Sequence, residues 1–557
     1  MRPPKANTGS TRNNTLTGEP DDPAAAQLGQ SSGDEDGFDK GHITVRMYRD
    51  ILGDCFLLRF PDGEKTVHML IDFGILQGMP KAKERARRIM TNIVSVTKVI
   101  DILVVTHEHV DHLSGFYHAR DIFDPVTVKE LWLAWTEDPR DDQANRLRQG
   151  RKTAIALLEK SYSAFAARGF AQEADLGDDQ GEDGGKHTSP LDGLRNVMSF
   201  SGIGPSSLGA TAAATTAGIL NILKAKAQSV RYLEPGQDVF ALAGLSYVKT
   251  YVMGPPRDDI LLRKSDPSKA KPEVYALSAD SHDGYFLSTA VSLMEEDVVL
   301  DADARQKLKL SLPFGFKNLI AIDPKSGTIG AQQDPIGQET FLKRYNNPED
   351  EWRRVDVDWL WASETIALKL DSDTNNTSLV LALEIGAGSD SRVMLFPGDA
   401  QVGNWLSWST YVWPKGKKPQ DEGVATSQSL LAKTVLYKVG HHASHNATLR
   451  EQGLELMTHR DLVAMIPVQQ EFANKSKHWN MPFPSLLKRL EERTLGRVIR
   501  ADRAKSDLHA PATNADADTA GQLTPQEWLG FLSNLREISD SEGPVALEYR
   551  LPAPAIV

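Results

Sequence analysis

The chain has 557 residues, a formal net charge of −12 and a pI near 5.7, with 40% hydrophobic and 25% charged residues. Those proportions belong to a globular protein with a sizeable core, and the acidic balance gives no strong signature of a surface that tracks duplex nucleic acid. A single cysteine, Cys55, excludes an intramolecular disulfide framework; with no apolar signal-peptide region and no eighteen-residue apolar run, the expectation is a cytoplasmic protein with no membrane segment.

Residues 1–40 are rich in Asn, Thr, Gly, Ser, Asp and Pro. They bury too little apolar surface to offset their ordering entropy, so a disordered leader is expected, followed by one decorated domain over 41–557. β-Branched and alternating stretches predict strands at 43–48, 55–60 and 67–74, with a turn at Pro61-Asp62-Gly63. A basic helix follows over 81–97, then strands at 99–106 and 131–135. From about 136 to 230 the pattern breaks into a first insertion: a helical stretch at 138–170, an acidic Gly-rich loop at 171–193 and an Ala/Thr-rich helix within 206–227. Sheet character returns at 239–252 and stops at Gly254-Pro255-Pro256. Residues 257–364 do not alternate and form a second insertion. Strands are then expected at 377–383, 392–396, 435–439, 462–466 and 497–500, with a helix at 485–492. Strands interleaved with helices describe a layered α/β or α+β protein, and no repeat of fixed period is present.

The chemistry concentrates where strands end. The apolar run closing at Thr106 is followed by His107-x-His109-x-Asp111-His112. Neutral imidazoles and a carboxylate on one short loop suit Zn²⁺ or a similar cation. Their alternation lets His107 and His109 aim at one metal while Asp111 and His112 turn toward a second. Strand 392–396 ends in Pro397-Gly398-Asp399, where the small Gly398 permits close backbone approach. Strand 435–439 ends in Gly440-His441-His442. Alone, each reads as a turn or a solvated loop; together with the first motif they read as further ligands.

In this order at strand ends, His107-x-His109-x-Asp111-His112, Gly398-Asp399 and His441-His442 resemble the metallo-β-lactamase superfamily. The nearer likeness is to the soluble hydrolase domain of the ComEC-type competence proteins. Gly53-Asp54-Cys55-Phe56-Leu57-Leu58, Leu70-Ile71-Asp72-Phe73-Gly74, Val252-Met253-Gly254-Pro255-Pro256, Asn375-Asn376-Thr377-Ser378-Leu379-Val380 and Lys438-Val439-Gly440-His441-His442-Ala443-Ser444 carry it. The likeness covers about 42–135, 239–256 and 370–502 and implies an α+β fold, a four-layer αββα sandwich with two long insertions. Departures are Ala443, where relatives usually have Gly, and Asn480-Met481-Pro482, with His478 nearby, where they often have Gly-His-Pro.

The resemblance implies two zinc ions, with Mn or Fe as other candidates. His107 and His109 would hold one, Asp111 and His112 help hold the second, and Asp399 bridge. His442, with His441 as the alternative, would complete the second site. Two cations roughly 3.5–4 Å apart bring the pKa of a shared water toward about 7, and the resulting hydroxide attacks a phosphoryl or acyl centre. Asp111 would also orient that nucleophile. A third histidine often joins the first metal in relatives, and His118, His187 and His282 are the candidates. Asp72 either forms a turn or fixes the tautomer of a ligating imidazole. Lys438 and Ser444 flank the His pair and are either substrate contacts or surface residues with loop hydrogen bonds, and Trp405, Trp408 and Trp413 wall a pocket or pack a core. The leading expectation is a phosphodiesterase-like hydrolase of a small-molecule or nucleotide substrate. Hydrolysis of a carboxylic ester, lactone or β-lactam is a second expectation, and a non-catalytic metal-binding regulatory or defence module a third.

Overall fold

The computed structural model describes residues 41–167, 198–199, 214–265, 367–368, 370–477, 479–510 and 522–552. The expected leader, the acidic loop and nearly all of the second insertion lie outside the described residues, as do His187, His282 and His478.

Two large sheets carry the chain. In the first, β1 (His42–Tyr48), β2 (Phe56–Asp62) and β3 (Lys65–Ile71) run as an antiparallel meander; β4 (Val99–Val104), β5 (Thr127–Ala134) and β6 (Ser229–Leu233) then continue it in parallel. The second begins with a hairpin, β7 (Phe240–Leu242) and β8 (Leu245–Gly254), followed by β9 (Val380–Ile385) and β10 (Arg392–Phe396). A two-stranded ribbon, β11 (Val412–Trp413) and β12 (Ala425–Thr426), stands apart. β13 (Thr434–Lys438), β14 (Val463–Ile466) and β15 (Val498–Arg500) return to the second sheet, all parallel to β10. The hairpin β16 (Leu535–Asp540) and β17 (Gly543–Pro552) closes the first sheet against β1, in the order β16-β17-β1-β2-β3-β4-β5-β6.

Strand alternation builds a core shared by the two sheets. Ile43, Val45 and Met47 of β1 join Met394 and Phe396 of β10 and Leu436 of β13 in one buried cluster. The opposite faces of the first sheet pack Leu57, Leu70 and Leu103 with Met90 and Ile93 of α1 (Ala82–Val96) and with Leu113 and Phe116 of α2 (Val110–His118). This is an α+β architecture.

Several boundaries differ from the sequence reading for local reasons. The expected strand 67–74 stops at Ile71 because Asp72 takes φ 55°, which no ladder tolerates. The expected strand 239–252 is a hairpin that reverses at Ala243-Gly244, with φ 46° and 83°. The strand expected from 377 starts at Val380, since residues 370–375 are helical and 376–377 form a turn. The assigned insertion 136–230 ends inside β6, a full member of the first sheet; before it come α3 (Asp142–Ala167) and α4 (Thr216–Lys226). Among the described residues no helix is long and apolar enough to cross a membrane.

Candidate metal centre

The carboxyl ends of parallel strands from both sheets converge on one buried point. β4 runs out at Val104 and leads through Thr106 to His107; α2 then begins immediately, with Asp111 in its first turn and His112 behind it. The loop is seated on glycine. A Cβ on Gly74 would lie 2.0 Å from the Asp111 carbonyl carbon and 2.2 Å from the His112 nitrogen, so only hydrogen fits beneath the motif. From the second sheet, β10 ends in Gly398, whose φ of 57° turns the chain so that Asp399 projects inward. A Cβ there would press Thr106 and Ser378 at 2.9 and 3.0 Å. β13 ends in a left-handed turn in which His441, His442 and Ala443 all have positive φ.

Hydrogen bonds fix which imidazole nitrogen faces inward. The Asp72 carboxylate accepts from the Thr106 amide at 2.8 Å and the Thr106 hydroxyl at 2.7 Å, and it meets His112 Nδ1 at 2.8 Å. A carboxylate only accepts, so His112 carries a proton on Nδ1 and aims Nε2 at Asp399 Oδ2, 3.1 Å away. The Thr106 hydroxyl already donates to Asp72, so it accepts from His107 Nδ1 at 3.1 Å, which frees His107 Nε2. That atom lies 3.0 Å from His109 Nδ1. His442 Nδ1 donates to the Pro467 carbonyl at 2.6 Å and Nε2 sits 3.1 Å from Asp111 Oδ2. Asp72 is therefore both the turn residue and the carboxylate that orients imidazoles.

Two groups result. His107, His112 and Asp399 offer ligand atoms within 4.8 Å of one another, as do Asp111, Asp399 and His442, and Asp399 belongs to both. Each group can hold a cation. The expected division placed His112 with Asp111; in the structure His112 faces His107 and Asp399. The sister residue His441 takes another part: its backbone N–H donates to Asp399 Oδ1 at 2.8 Å, while its ring meets Ser444 Oγ at 3.0 Å and Gln401 Nε2 at 3.4 Å. His118 lies at the far end of α2 and in none of the three groups, the third being Asp54, Asp72 and His112.

Charge is balanced inside the site. Burial alone would lower the His112 pKa, but Asp399, Asp72, Asp111 and Asp54 outweigh it and hold the imidazole well above its ordinary value. Burial pushes His109 down to about 3 and His441 to about 4, leaving neutral rings fit for ligation. Asp399 is held well below the carboxylate range, burial being outweighed by Lys438 and His112. The surface or substrate-contact role expected for Lys438 does not match its position. It is 2% exposed and donates to Gly398 O at 2.8 Å, to Asp399 Oδ1 at 3.1 Å and to Asp54 Oδ2. Burial raises Asp54 to about 6 against the pull of Lys438. Trp405, Trp408 and Trp413 are each 1% exposed and pack the core, Trp405 stacking on Trp408 at 3.9 Å, rather than walling a pocket.

Two groups escaped the sequence reading. Asp54 stood only inside a quoted motif, and Asp371, in the helical stretch 370–375, had no pattern to mark it. Asp371 is buried, its pKa raised well above normal by burial and by Asp111 and Asp399. The Oδ1 atoms of Asp54, Asp111 and Asp371 are buried with no hydrogen bond among the described residues, as expected of oxygens that await a cation or a water. A cavity of about 380 Å³ lies elsewhere, and none of the candidate ligands lines it. It is lined by Arg146, Arg151 and Arg263 with Asp259 and Asp373, and Arg151 also pairs at 3.0 Å with Glu108, between the first two motif histidines. Comparison with family models, with curated proteins and with solved structures gives no match in any of the three.

Proposed function

We propose that the chain is a metal-dependent hydrolase of the metallo-β-lactamase type, ComEC-like in its motifs, acting on a phosphodiester or related phosphoryl ester. The observation that carries this reading is the pair of three-residue groups that share Asp399 at the meeting of two sheets. An open pair of cation sites with carboxylate and imidazole donors fits hydrolysis better than a closed structural site does. The two face-packed sheets and the helices on α1 and α2 are compatible with the sandwich that the motifs imply.

When bound, two cations, zinc first among the candidates, would lower the pKa of water toward about 7 and neutralise charge developing on the ester. The chain's own residues do the rest. Asp72 and the Pro467 carbonyl keep His107, His112 and His442 in the tautomers that present lone pairs inward. Lys438 and the His441 amide hold Asp399 Oδ1 so that Oδ2 faces the histidines. The Asp111 carboxyl is held below its ordinary pKa, His112 and His442 outweighing its burial, and its Oδ1 would accept a proton from the attacking water. The choice of a phosphoryl substrate rests on the resemblance alone.

Metal analysis combined with bis-p-nitrophenyl phosphate, p-nitrophenyl acetate and nitrocefin tests the proposal on wild type and Asp111→Ala. Two equivalents of metal and phosphodiester cleavage lost by at least about 100-fold in the variant are expected. Cleavage of acyl substrates alone would replace phosphoryl by acyl chemistry, and metal without turnover would overturn the enzymatic reading.

A further inference from the structure

We propose that Glu108 is a positioning residue of the metal centre: the first insertion grips its carboxylate through Arg151 and Thr216, and that hold sets the directions of His107 and His109 on either side of it. This rests on the metal-centre reading above, and it gives the first insertion a part in the site that none of the motifs supplies.

The lever is short. His107 and His109 turn their rings together, with centroids 4.6 Å apart and His107 Nε2 3.0 Å from His109 Nδ1. That separation is close to what two nitrogens bound at about 2.0–2.1 Å to one ion require. The residue between them sends its side chain to the insertion instead. Glu108 Oε1 accepts from the Thr216 hydroxyl at 3.0 Å, and Oε2 pairs with Arg151 Nη2 at 3.0 Å. Thr216 opens α4 and Arg151 lies in α3, so both helices close on a single carboxylate. Residues 105–109 have left β4 and not yet entered α2, so no ladder or helix bond fixes their roll. A rotation of this segment would swing both imidazoles, and a Glu108 held at both oxygens opposes it.

The grip is itself anchored. The same Arg151 nitrogen donates to Glu137 Oε1 at 3.1 Å, on the short helical turn Trp135–Glu137 that follows β5. The Glu108, Arg151 and Glu137 side chains are 11%, 13% and 6% exposed, so salt screens these pairs little. Hydrogen bonds between charged partners are also the stronger kind. One guanidinium thus ties the loop after β4 to the turn after β5, with the first motif histidines riding on the tied loop. Removing Glu108 leaves Arg151 paired with Glu137, so the arginine is not stranded and the fold is kept.

The test uses the full-length protein, stripped of metal and titrated with Zn²⁺ against a competing chelator, then with Co²⁺ to record the visible spectrum. Glu108→Ala is expected to weaken one of two equivalents by roughly 10-fold or more and to alter the Co²⁺ bands. Glu108→Gln keeps an acceptor for Thr216 and should recover part of that affinity. Arg148→Met is the control. Arg148 ties α3 to the carbonyls of Thr136 and Asp138 without touching the motif, so its loss should leave affinity and bands as in wild type. Unchanged affinity and bands in Glu108→Ala overturn the role. Equal weakening in Arg148→Met would mean that metal binding merely follows the docking of α3, and Gln no better than Ala would place the effect in charge; either result overturns it. A wild-type protein that binds no metal removes the centre and this role together, whereas two equivalents bound alike by wild type and Glu108→Ala remove this role alone. Turnover is not read, so the hydrolase assignment can fail while this one stands.

Discussion

Lys438→Met isolates the electrostatics of the centre without changing its shape much. The ammonium is 2% exposed and spends all three of its donors on Gly398 O, Asp399 and Asp54. Methionine fills a similar volume but leaves two buried carboxylates facing each other with no cation between them. Removing one partner of a buried ion pair costs about 3–5 kcal/mol, a large part of the 5–15 kcal/mol that typically holds a fold. Urea denaturation of the metal-free protein, followed by tryptophan fluorescence, should show that loss. Adding Asp54→Asn in the same chain removes one of the stranded charges and should restore about 1–3 kcal/mol. A single-variant loss below about 1 kcal/mol, or a double variant no more stable than the single, would refute the view that Lys438 is the internal counter-ion.

Gly74→Ala should displace the motif loop, because its Cβ would strike the Asp111 and His112 backbone at 2.0 and 2.2 Å and no side chain can swing aside. Overpacking costs of about 1–3 kcal/mol and a drop in bound metal are expected; wild-type metal content and melting temperature would count against it. His68, on β3, is pushed down to about 4 by burial. Its folded pKa lies below the unfolded value, so its contribution of at most about 3 kcal/mol is present above pH 6.5 and is lost as the pH falls toward 4. Replacing it with glutamine should flatten that part of the stability profile measured by urea midpoints, and an unchanged slope would show that other groups cause it.

The strand ends were legible because chemistry and pattern coincide there: an apolar β-branched run breaks off and potential ligand residues follow at once, at His107, Asp399 and His442. The helices over 82–96 and 484–493 were legible for the ordinary reason of 3.6-residue periodicity. What stayed hidden depends on contacts between distant segments. The pairing of β17 with β1 joins residues some 500 positions apart, and nothing local in either strand announces it. Asp371 lies on a short helical stretch that carries no recognisable motif, and only the fold brings it within 3.8 Å of His109. Lys438 reads in sequence as a surface or substrate-contacting cation at a strand end, yet it is buried, because its partners arrive from β10 and from the turn after β1.

His107 and His112 come from the first sheet, and Asp399 and His442 from the second. A cation seated among them is a rivet between two otherwise face-packed slabs. Its grip would scale with supply: at a free concentration one hundred times its dissociation constant it adds about 2.7 kcal/mol to the folded state, and in a metal-poor setting nothing. The lifetime of the chain would then report on metal availability. A protease challenge at graded zinc concentrations would show survival rising with the metal.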